Sequence, residues 1–217
     1  MRTLNFETMI DGFENNWECR SDYPSQYETW AHLKGLEIFF RPIKKTDGEL
    51  LKELFRSHSQ ETIVRRYFLP LRELSPEMVT KFVDLCYTRD MAIIGLVPYL
   101  GRERMIGVGR FFRNTPQDGA EIALTVHDDY RRRGIGSYLL RELIRVAQDM
   151  EIVFLTADVL AGNHAMMALL HKCSPNLEMT LDAGVYHVVF PVRARTSINA
   201  KSLPRFGKHG TAPETNV

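Results

Sequence analysis

The chain has 217 residues, of which 44% are hydrophobic and 25% are charged, and its formal net charge is +1. This composition is typical of one globular domain with a sizeable core, and we expect tails at its ends. The near-neutral charge excludes a global field that would attract nucleic acid or an anionic membrane, so neither partner is predicted. We find no apolar leader and no membrane-spanning stretch in the sequence, and its three cysteines are widely spaced. These features predict a cytoplasmic protein without a disulfide framework.

Residues 1–35 scatter aromatic side chains among acids and amides without a period. We interpret this stretch as an N-terminal arm that packs on another surface rather than as a free linker. The main domain is predicted to span residues 36–192 and to open with a β-type run from Leu36 to Ile43. Thr46 and Glu49 then have the spacing of a capping box, which predicts the start of a helix.

Two more helices are predicted before the central strands. One covers roughly Glu61 to Phe68, and in the next Ser75 supplies an N-cap while Pro76 takes the first helical position. Three runs rich in β-branched and aromatic residues follow and predict an antiparallel meander: Met91 to Leu100, Arg104 to Phe112 and Ala120 to Val126.

The hydrophobic period changes after Gly134, where apolar residues recur at helical spacing as far as Met150. A second helix is predicted from Asn163, and three strands complete the domain: Ile152 to Val159, Leu177 to Leu181 and Val185 to Val192. The fold class is therefore α+β. Residues 193–217 are basic and poor in large apolar side chains, which predicts a disordered tail.

The segment with the clearest chemical signal is a strand, Glu121 to Val126, that leads into the loop from Arg131 to Gly136 and then into an amphipathic helix. Gly134 and Gly136 let the backbone approach a ligand without a Cβ atom in the way. The free N–H groups of the helix start carry the positive end of its dipole. Three consecutive arginines add charge where a diphosphate would lie. The simpler alternative is a solvated basic turn that the glycines merely shape.

Two other phosphate-binding motifs do not fit this loop. A dinucleotide-binding fingerprint would need a third glycine where Leu139 stands, and it would belong to a βαβ unit rather than follow a meander. A Walker loop would end in Gly-Lys followed by Ser or Thr, which is missing here.

Arg131, Gly134 and Gly136 match the pyrophosphate loop Arg/Gln-x-x-Gly-x-Gly/Ala of the GNAT superfamily of acetyl-CoA-dependent N-acyltransferases, which the sequence resembles. The resemblance implies a mixed, mostly antiparallel sheet of about seven strands flanked by helices. It implies acetyl-CoA as co-substrate, with backbone contacts from Thr125 and Val126. The remaining residues implied to contact the cofactor are Arg131, Arg132, Arg133, Gly134, Ile135, Gly136, Ser137 and Asn163.

Further short segments of the sequence resemble bacterial protein lysine acetyltransferases, including those joined to ADP-forming acyl-CoA synthetase-like domains. They are spread from about Leu36 to Val192 and comprise Phe40-Arg41-Pro42-Ile43, Leu74-Ser75-Pro76-Glu77, Ala120-Glu121, Asp128-Asp129-Tyr130-Arg131 and Asn163-His164-Ala165-Met166. The resemblance implies direct transfer of an acetyl group to a protein lysine.

Glu121 is the predicted general base, because an ammonium acceptor must lose a proton before it attacks a thioester. Strand alternation places Glu121 on one face with Ala123 and Thr125, which we interpret as the open, polar side. The resemblance also implies a glutamate base at this position. The alternative is a surface carboxylate paired with Arg110 on a neighbouring strand.

No general acid is identified by the sequence. The wider family commonly has a tyrosine seven positions after Asn163, where this chain has Leu170. Water or Ser137 is left as the donor, and His171 is interpreted as a solvated residue at a helix end. Cys173 is interpreted as structural, and no metal site is predicted because the histidines are too dispersed.

The predicted function is acetyl-CoA-dependent N-acetyl transfer to a primary amine, with a protein lysine as the preferred acceptor. Two alternatives stay open: a small-molecule amine acetyltransferase, and a non-catalytic acyl-CoA-binding module that regulates a partner. The segment Thr62 to Leu74 is expected to shape the acceptor entrance, where Arg65, Arg66 and Arg72 argue against a polyamine.

Overall fold

The computed structural model describes residues 22–113 and 119–192. The predicted arm up to residue 21, the turn at 114–118 and the tail from residue 193 lie outside these residues. The helices are α1 (Gly48–Arg56), α2 (Gln60–Tyr67), α3 (Pro76–Val83), α4 (Ile135–Asp149) and α5 (His164–Cys173). The strands are β1 (Thr29–Leu33), β2 (Leu36–Pro42), β3 (Met91–Tyr99), β4 (Arg102–Phe112), β5 (Gly119–Val126), β6 (Phe154–Leu160), β7 (Glu178–Asp182) and β8 (Val185–Pro191).

The eight strands form one sheet in the order β1-β2-β3-β4-β5-β6-β8-β7. Neighbouring strands are antiparallel except β5 and β6, which are parallel. The mixed, mostly antiparallel sheet flanked by helices is therefore confirmed, with eight strands instead of about seven. The additional strand is β1, which lies within the stretch interpreted as an arm and pairs with β2 at the sheet edge. Its alternation of half-buried and exposed side chains runs over only five residues, too few to show a clear period in the sequence.

The helices cover the sheet in two layers. On one face, Phe55 of α1 and Phe82 of α3 share a buried cluster with Phe112 of β4. On the other face, Leu139 of α4 packs in a second cluster with Ile122 of β5. Side chains alternate along a strand, so the odd-numbered residues of β5 face the layer of α1 to α3 and the even-numbered residues face α4.

The capping box predicted at the start of α1 is wrong. Thr46 and Glu49 do not cap the helix; α1 follows Asp47 and has no side-chain cap. The Asp47 carboxylate instead forms an ion pair of 2.7 Å with Arg41, and both side chains are about 5% exposed. It also accepts a hydrogen bond of 2.6 Å from the Lys44 backbone N–H. A buried guanidinium needs a counter-charge, which explains why this carboxylate is directed into the core.

A cleft opens in the middle of the sheet between β5 and β6. In the described chain these strands pair at three positions, from Gly119 opposite Phe154 to Glu121 opposite Thr156. Glycine is needed at the first position, since a Cβ atom on Gly119 would lie 2.3 Å from the Phe154 ring. Beyond Glu121, β5 continues only against β4 and β6 continues only against β8. The two strands therefore separate toward their C-terminal ends.

Cys86 is disulfide-bonded, whereas Cys173 is free, so the expectation of no disulfide is wrong at Cys86. The cysteines consequently give no support to a reducing compartment. Within the two described ranges, no helix has both the length and the apolar character needed to cross a bilayer.

Candidate functional site

The loop between β5 and α4 presents backbone donors rather than side-chain caps. Gly134 precedes α4 with a φ of 90°, and no side chain caps the helix. Arg132 also has a positive φ, of 57°, so the chain turns sharply twice before the helix. The first turn of α4 contains no acidic residue, which leaves its N–H groups and its positive dipole end for an anion. Ile135 is 1% exposed and contributes backbone only, while Ser137 is partly exposed.

The two glycines of the loop have different roles. A Cβ atom on Gly134 would meet no other atom within 4 Å, so this position faces open space that a ligand can enter. A Cβ atom on Gly136 would lie 3.4 Å from Leu169 and 3.8 Å from both Leu124 and Val126. The expected open approach to the backbone therefore applies to Gly134, whereas Gly136 faces the packing between α4, α5 and β5.

The three arginines of the loop also differ from one another. The Arg131 guanidinium forms an ion pair of 2.8 Å with Asp128 and donates a hydrogen bond of 2.5 Å to Thr62 Oγ1 in α2. Arg132 and Arg133 are exposed. Arg131 therefore ties the loop to α2, and the other two side chains are the ones placed to meet an anion from solvent.

Asp128 is the centre of a larger contact between α2 and the loop. Its carboxylate accepts hydrogen bonds of 3.0 Å from Ser59 N–H and 3.1 Å from Thr62 Oγ1. The buried His58 ring lies with Nδ1 at 3.4 Å from this carboxylate and Nε2 at 3.1 Å from Thr125 Oγ1. Burial lowers the pKa of His58 to about 4, so the ring is neutral at pH 7. The sequence contains no local pattern that would predict these contacts.

Thr125 and Val126 lie where β5 has separated from β6. Their backbones pair with Val108 and Gly107 of β4, and the other edge of the strand faces the cleft. An extended ligand arm can pair with this edge as an added strand would. The Thr125 side chain, however, is 7% exposed and buried against His58, so the interpretation of this position as part of an open, polar side is wrong.

Asn163 lies across the cleft, at the start of α5. Its Oδ1 atom accepts a hydrogen bond of 3.2 Å from Met166 N–H and caps the helix. Arg65 of α2 reaches the neighbouring Gly162 carbonyl oxygen at 3.5 Å. Helix α2 thus contacts the loop after β5 and the loop after β6, and it bridges the open end of the cleft.

Glu121 stands where the two strands begin to separate. It is opposite Phe112 of β4 and Thr156 of β6, on the face that α1 to α3 cover. The alternative ion pair with Arg110 does not form, because Arg110 is in no ion pair with the described residues and donates instead to the Phe82 carbonyl oxygen at 3.3 Å. This position suits a base that acts on an amine in the cleft.

Two arginines near Glu121 had no predicted role in binding the acceptor. Arg110 is 2% exposed on β4, and Arg66 lies on α2 with its guanidinium 5.0 Å from the Tyr67 ring. In the sequence, Arg110 could be distinguished only as a single arginine within an otherwise apolar strand. Nothing local distinguished Arg66 from its neighbour Arg65.

A second polar pair lies on the same face of the sheet. Asp158 of β6 is opposite His187 of β8, and its Oδ1 atom lies 2.6 Å from His187 Nδ1. Asp158 follows Thr156 by two residues, so it shares a face with Glu121. The cleft therefore has two carboxylates on the side away from α4.

The position seven residues after Asn163 supplies no proton donor. Leu170 is fully buried there in the apolar cluster under α4. His171 is exposed at the end of α5, as its interpretation as a solvated residue requires. Burial raises the pKa of the Cys173 thiol, which favours a structural role over a nucleophilic one.

Comparison with known proteins places this geometry in a family. Residues 54–174 match the model of the acetyltransferase (GNAT) family. The chain is 30% identical to acetyltransferase PA5475 of Pseudomonas aeruginosa over 114 residues, which cover 52% of this chain and 61% of that protein. It is also 30% identical to acetyltransferase Pat of Mycolicibacterium smegmatis over 136 residues, which cover 62% of this chain and 40% of that protein. The chain thus spans less than two thirds of either relative.

Solved structures agree with the fold. The GNAT domain of S. lividans PAT superposes with a TM-score of 0.71 at 26% identity, covering 78% of this chain and 99% of that domain. A phosphinothricin acetyltransferase from Sinorhizobium meliloti, solved in complex with acetyl-CoA, superposes with a TM-score of 0.57 at 17% identity, covering 71% of this chain and 88% of that one. The family match covers more than half of the chain and includes the separated strands, the loop and α4. The chain therefore belongs to the acetyltransferase (GNAT) family.

Proposed function

We propose that this chain transfers the acetyl group of acetyl-CoA to a primary amine, with a protein lysine as the favoured acceptor. The observation that carries the proposal is the position of Glu121 at the start of a cleft whose open end meets the uncapped N-terminus of α4. A diphosphate at the helix and a thioester between β5 and β6 would bring the acetyl group toward this carboxylate.

In this proposal the residues contribute binding, orientation and one proton transfer. Glu121 accepts a proton from the acceptor ammonium, and the neutral nitrogen then attacks the thioester carbonyl carbon. The carbon–sulfur bond breaks, the attacking nitrogen gives up its second proton, and water or Ser137 relays a proton to the leaving thiolate. No bond to the enzyme forms, so acetyl transfer is direct.

The shape of the cleft supports a macromolecular acceptor. The edge strand β7 is exposed along its whole length, and Glu178 and Thr180 on it lie, through their pairing with β8, on the same face as Glu121 and Asp158. The face that carries Glu121 and Asp158 leads toward this edge. An extended segment bearing a lysine can lie on such a surface, whereas an enclosed pocket would favour a small amine. The cytoplasmic location stays a prediction.

The test is calorimetric titration of the protein with acetyl-CoA, followed by an assay of coenzyme A release with amine acceptors. Gly134→Asp should weaken acetyl-CoA binding at least tenfold, about 1.4 kcal/mol, because it places a side chain and a negative charge in the predicted diphosphate site. Gly184→Asp is the matched control. Gly184 also has a positive φ, of 83°, and open space around it, but it lies in the β7–β8 turn.

Each outcome separates the candidate functions. Binding that Gly134→Asp removes and Gly184→Asp preserves, together with turnover of amines, supports the proposal. Binding without turnover of any amine would instead identify a non-catalytic acyl-CoA-binding module. No binding by the wild-type protein would contradict both functions.

A further inference from the structure

The acceptor side of the cleft contains two guanidinium groups around one aromatic pair. The Tyr67 and Phe82 rings lie 6.5 Å apart between their centroids. Arg66 lies over the Tyr67 ring at 5.0 Å, and Arg110 lies over the Phe82 ring at 4.5 Å. The two arginines come from α2 and β4, and the second is directly opposite Ala123, two residues from Glu121.

Neither guanidinium forms an ion pair within 4.0 Å with a described carboxylate. Arg110 makes one hydrogen bond, to the Phe82 carbonyl oxygen, although it is only 2% exposed. Arg41 shows what a buried arginine normally has in this fold, a carboxylate at 2.7 Å from Asp47. Burial of an unpaired charge costs several kcal/mol, and a contact with an aromatic ring returns about 2 kcal/mol at most. An anion from outside the chain would therefore be stabilised strongly at this position.

The charges of these groups act on one another. Burial, followed by the nearby positive charge of Arg66, lowers the pKa of Arg110 to about 9, which leaves the group charged at pH 7. Burial also lowers the pKa of Arg66, while the charges of Tyr67 and Glu121 act in the opposite direction. Helix α2 also packs against β5, which brings Arg66 to the same side of the cleft as Glu121.

We propose that the acceptor carries a carboxylate beside its reacting amine, and that Arg66, supported by Arg110, binds this carboxylate while Glu121 receives the amine. The inference rests on the proposed function and specifies the acceptor of the same site. Arg66 is only partly buried and makes the direct contact. Arg110 adds charge from its position on β4, opposite Ala123. The carboxylate is either an acidic side chain next to a lysine in a protein segment or the carboxylate of a free amino acid.

The experiment compares acceptors that differ only in this carboxylate. One pair is a lysine peptide with an adjacent glutamate and the same peptide with glutamine; the other is lysine and lysinamide. The proposal expects at least a tenfold higher kcat/KM for the charged member of one pair, mainly through KM. A preference within the peptide pair identifies a protein segment as the source, and a preference within the amino-acid pair alone identifies a free amino acid.

The variants assign the preference to a residue. Arg66→Gln should reduce the ratio of kcat/KM between charged and neutral acceptors to near one without changing acetyl-CoA affinity. Arg66→Lys should retain part of this preference for the charged acceptor. Arg141→Gln is the control, because Arg141 is an exposed arginine on α4, on the other face of the sheet. Equal use of both acceptors by the wild-type protein, or a ratio that survives Arg66→Gln, overturns the inference.

A binding measurement distinguishes failure of the carboxylate inference from failure of the proposed function. Anisotropy of the labelled glutamate and glutamine peptides is measured in the presence of coenzyme A. Tighter binding of the glutamate peptide, lost in Arg66→Gln, in a protein that transfers no acetyl group would remove the proposed function and keep the carboxylate site. Acetyl transfer without a charge preference would do the reverse.

Discussion

The two sides of the central cleft are built from different parts of the chain. The proposed cofactor side consists of backbone groups within one segment, from the end of β5 to the first turn of α4. The proposed acceptor side consists of the side chains of Arg66, Arg110 and Glu121, which come from α2, β4 and β5. The first side depends on local conformation, and the second depends on how separate elements pack.

This difference has consequences for substitution. A backbone site tolerates changes of side chain that preserve φ and ψ, whereas a side-chain site loses its chemistry when a single atom type changes. Asp128 connects the two sides, because its carboxylate binds Arg131 of the loop and both Ser59 and Thr62 at the start of α2. Substitutions on either side and at this junction therefore test the comparison.

The largest effect is expected at Glu121. Glu121→Gln preserves the side-chain volume but removes the proton acceptor, so kcat should fall by about 10²- to 10⁴-fold while the acetyl-CoA dissociation constant stays unchanged. Steady-state kinetics and calorimetry measure the two quantities. Glu37→Gln, at an exposed position of β2 away from the cleft, is the control. Retained turnover in Glu121→Gln would exclude this residue as the base.

Asp128→Asn should affect both sides at once. The amide cannot replace a charged acceptor that meets three donors, and we expect a loss of about 2–3 kcal/mol in the free energy of unfolding. Acetyl-CoA affinity and the KM for the acceptor should both become weaker. Asp129→Asn is the control, because the Asp129 side chain is 85% exposed. A change confined to one substrate would show that the two sides are independent.

His58 should make stability depend on pH. Its folded-state pKa of about 4 lies below the ordinary value of 6.5, so the unfolded chain binds more protons between these values. The contribution of neutral His58 to the free energy of unfolding is fully present above pH 6.5 and is lost as the pH falls toward 4. The loss between pH 7 and pH 5 is about 2 kcal/mol.

Urea unfolding at both pH values measures this dependence. The wild-type protein should lose more stability than His58→Gln by that amount, whereas His171→Gln, at an exposed histidine, should behave as the wild type. An equal loss in the wild-type protein and His58→Gln would mean that the buried ring is not the titrating group.

The smallest effect is expected at Lys34, whose Nζ donates a hydrogen bond of 2.8 Å to the Arg132 carbonyl oxygen in an exposed position. Exposed contacts of a charged side chain contribute little, so Lys34→Met should change acetyl-CoA affinity by less than about threefold. Titration of the variant measures it. A tenfold loss would show that the loop depends on side-chain support and would contradict its description as a backbone site.

The order of helices and strands from β2 to β8 was predictable from the sequence, because the hydrophobic periods and turn residues are local. Ser75 caps α3 as predicted, accepting a hydrogen bond of 3.2 Å from Met78 N–H. The failures involve distant partners. The carboxylate of Asp47 was assigned to no role until Arg41 was seen beside it, and β1 became recognisable as a strand only through its pairing with β2.

By itself, the sequence determined the family and the position of the glycine loop before α4, because a glycine with a positive φ, a helix start and a strand end are encoded within about twelve neighbouring residues. Only the tertiary structure decided that Arg131 is directed to Asp128, that Thr125 is buried by His58, and that Arg66 and Arg110 lie on the same side of the cleft as Glu121. These contacts join residues far apart in the chain. Their geometry follows from the packing of α2 across the separated strands and not from any local pattern.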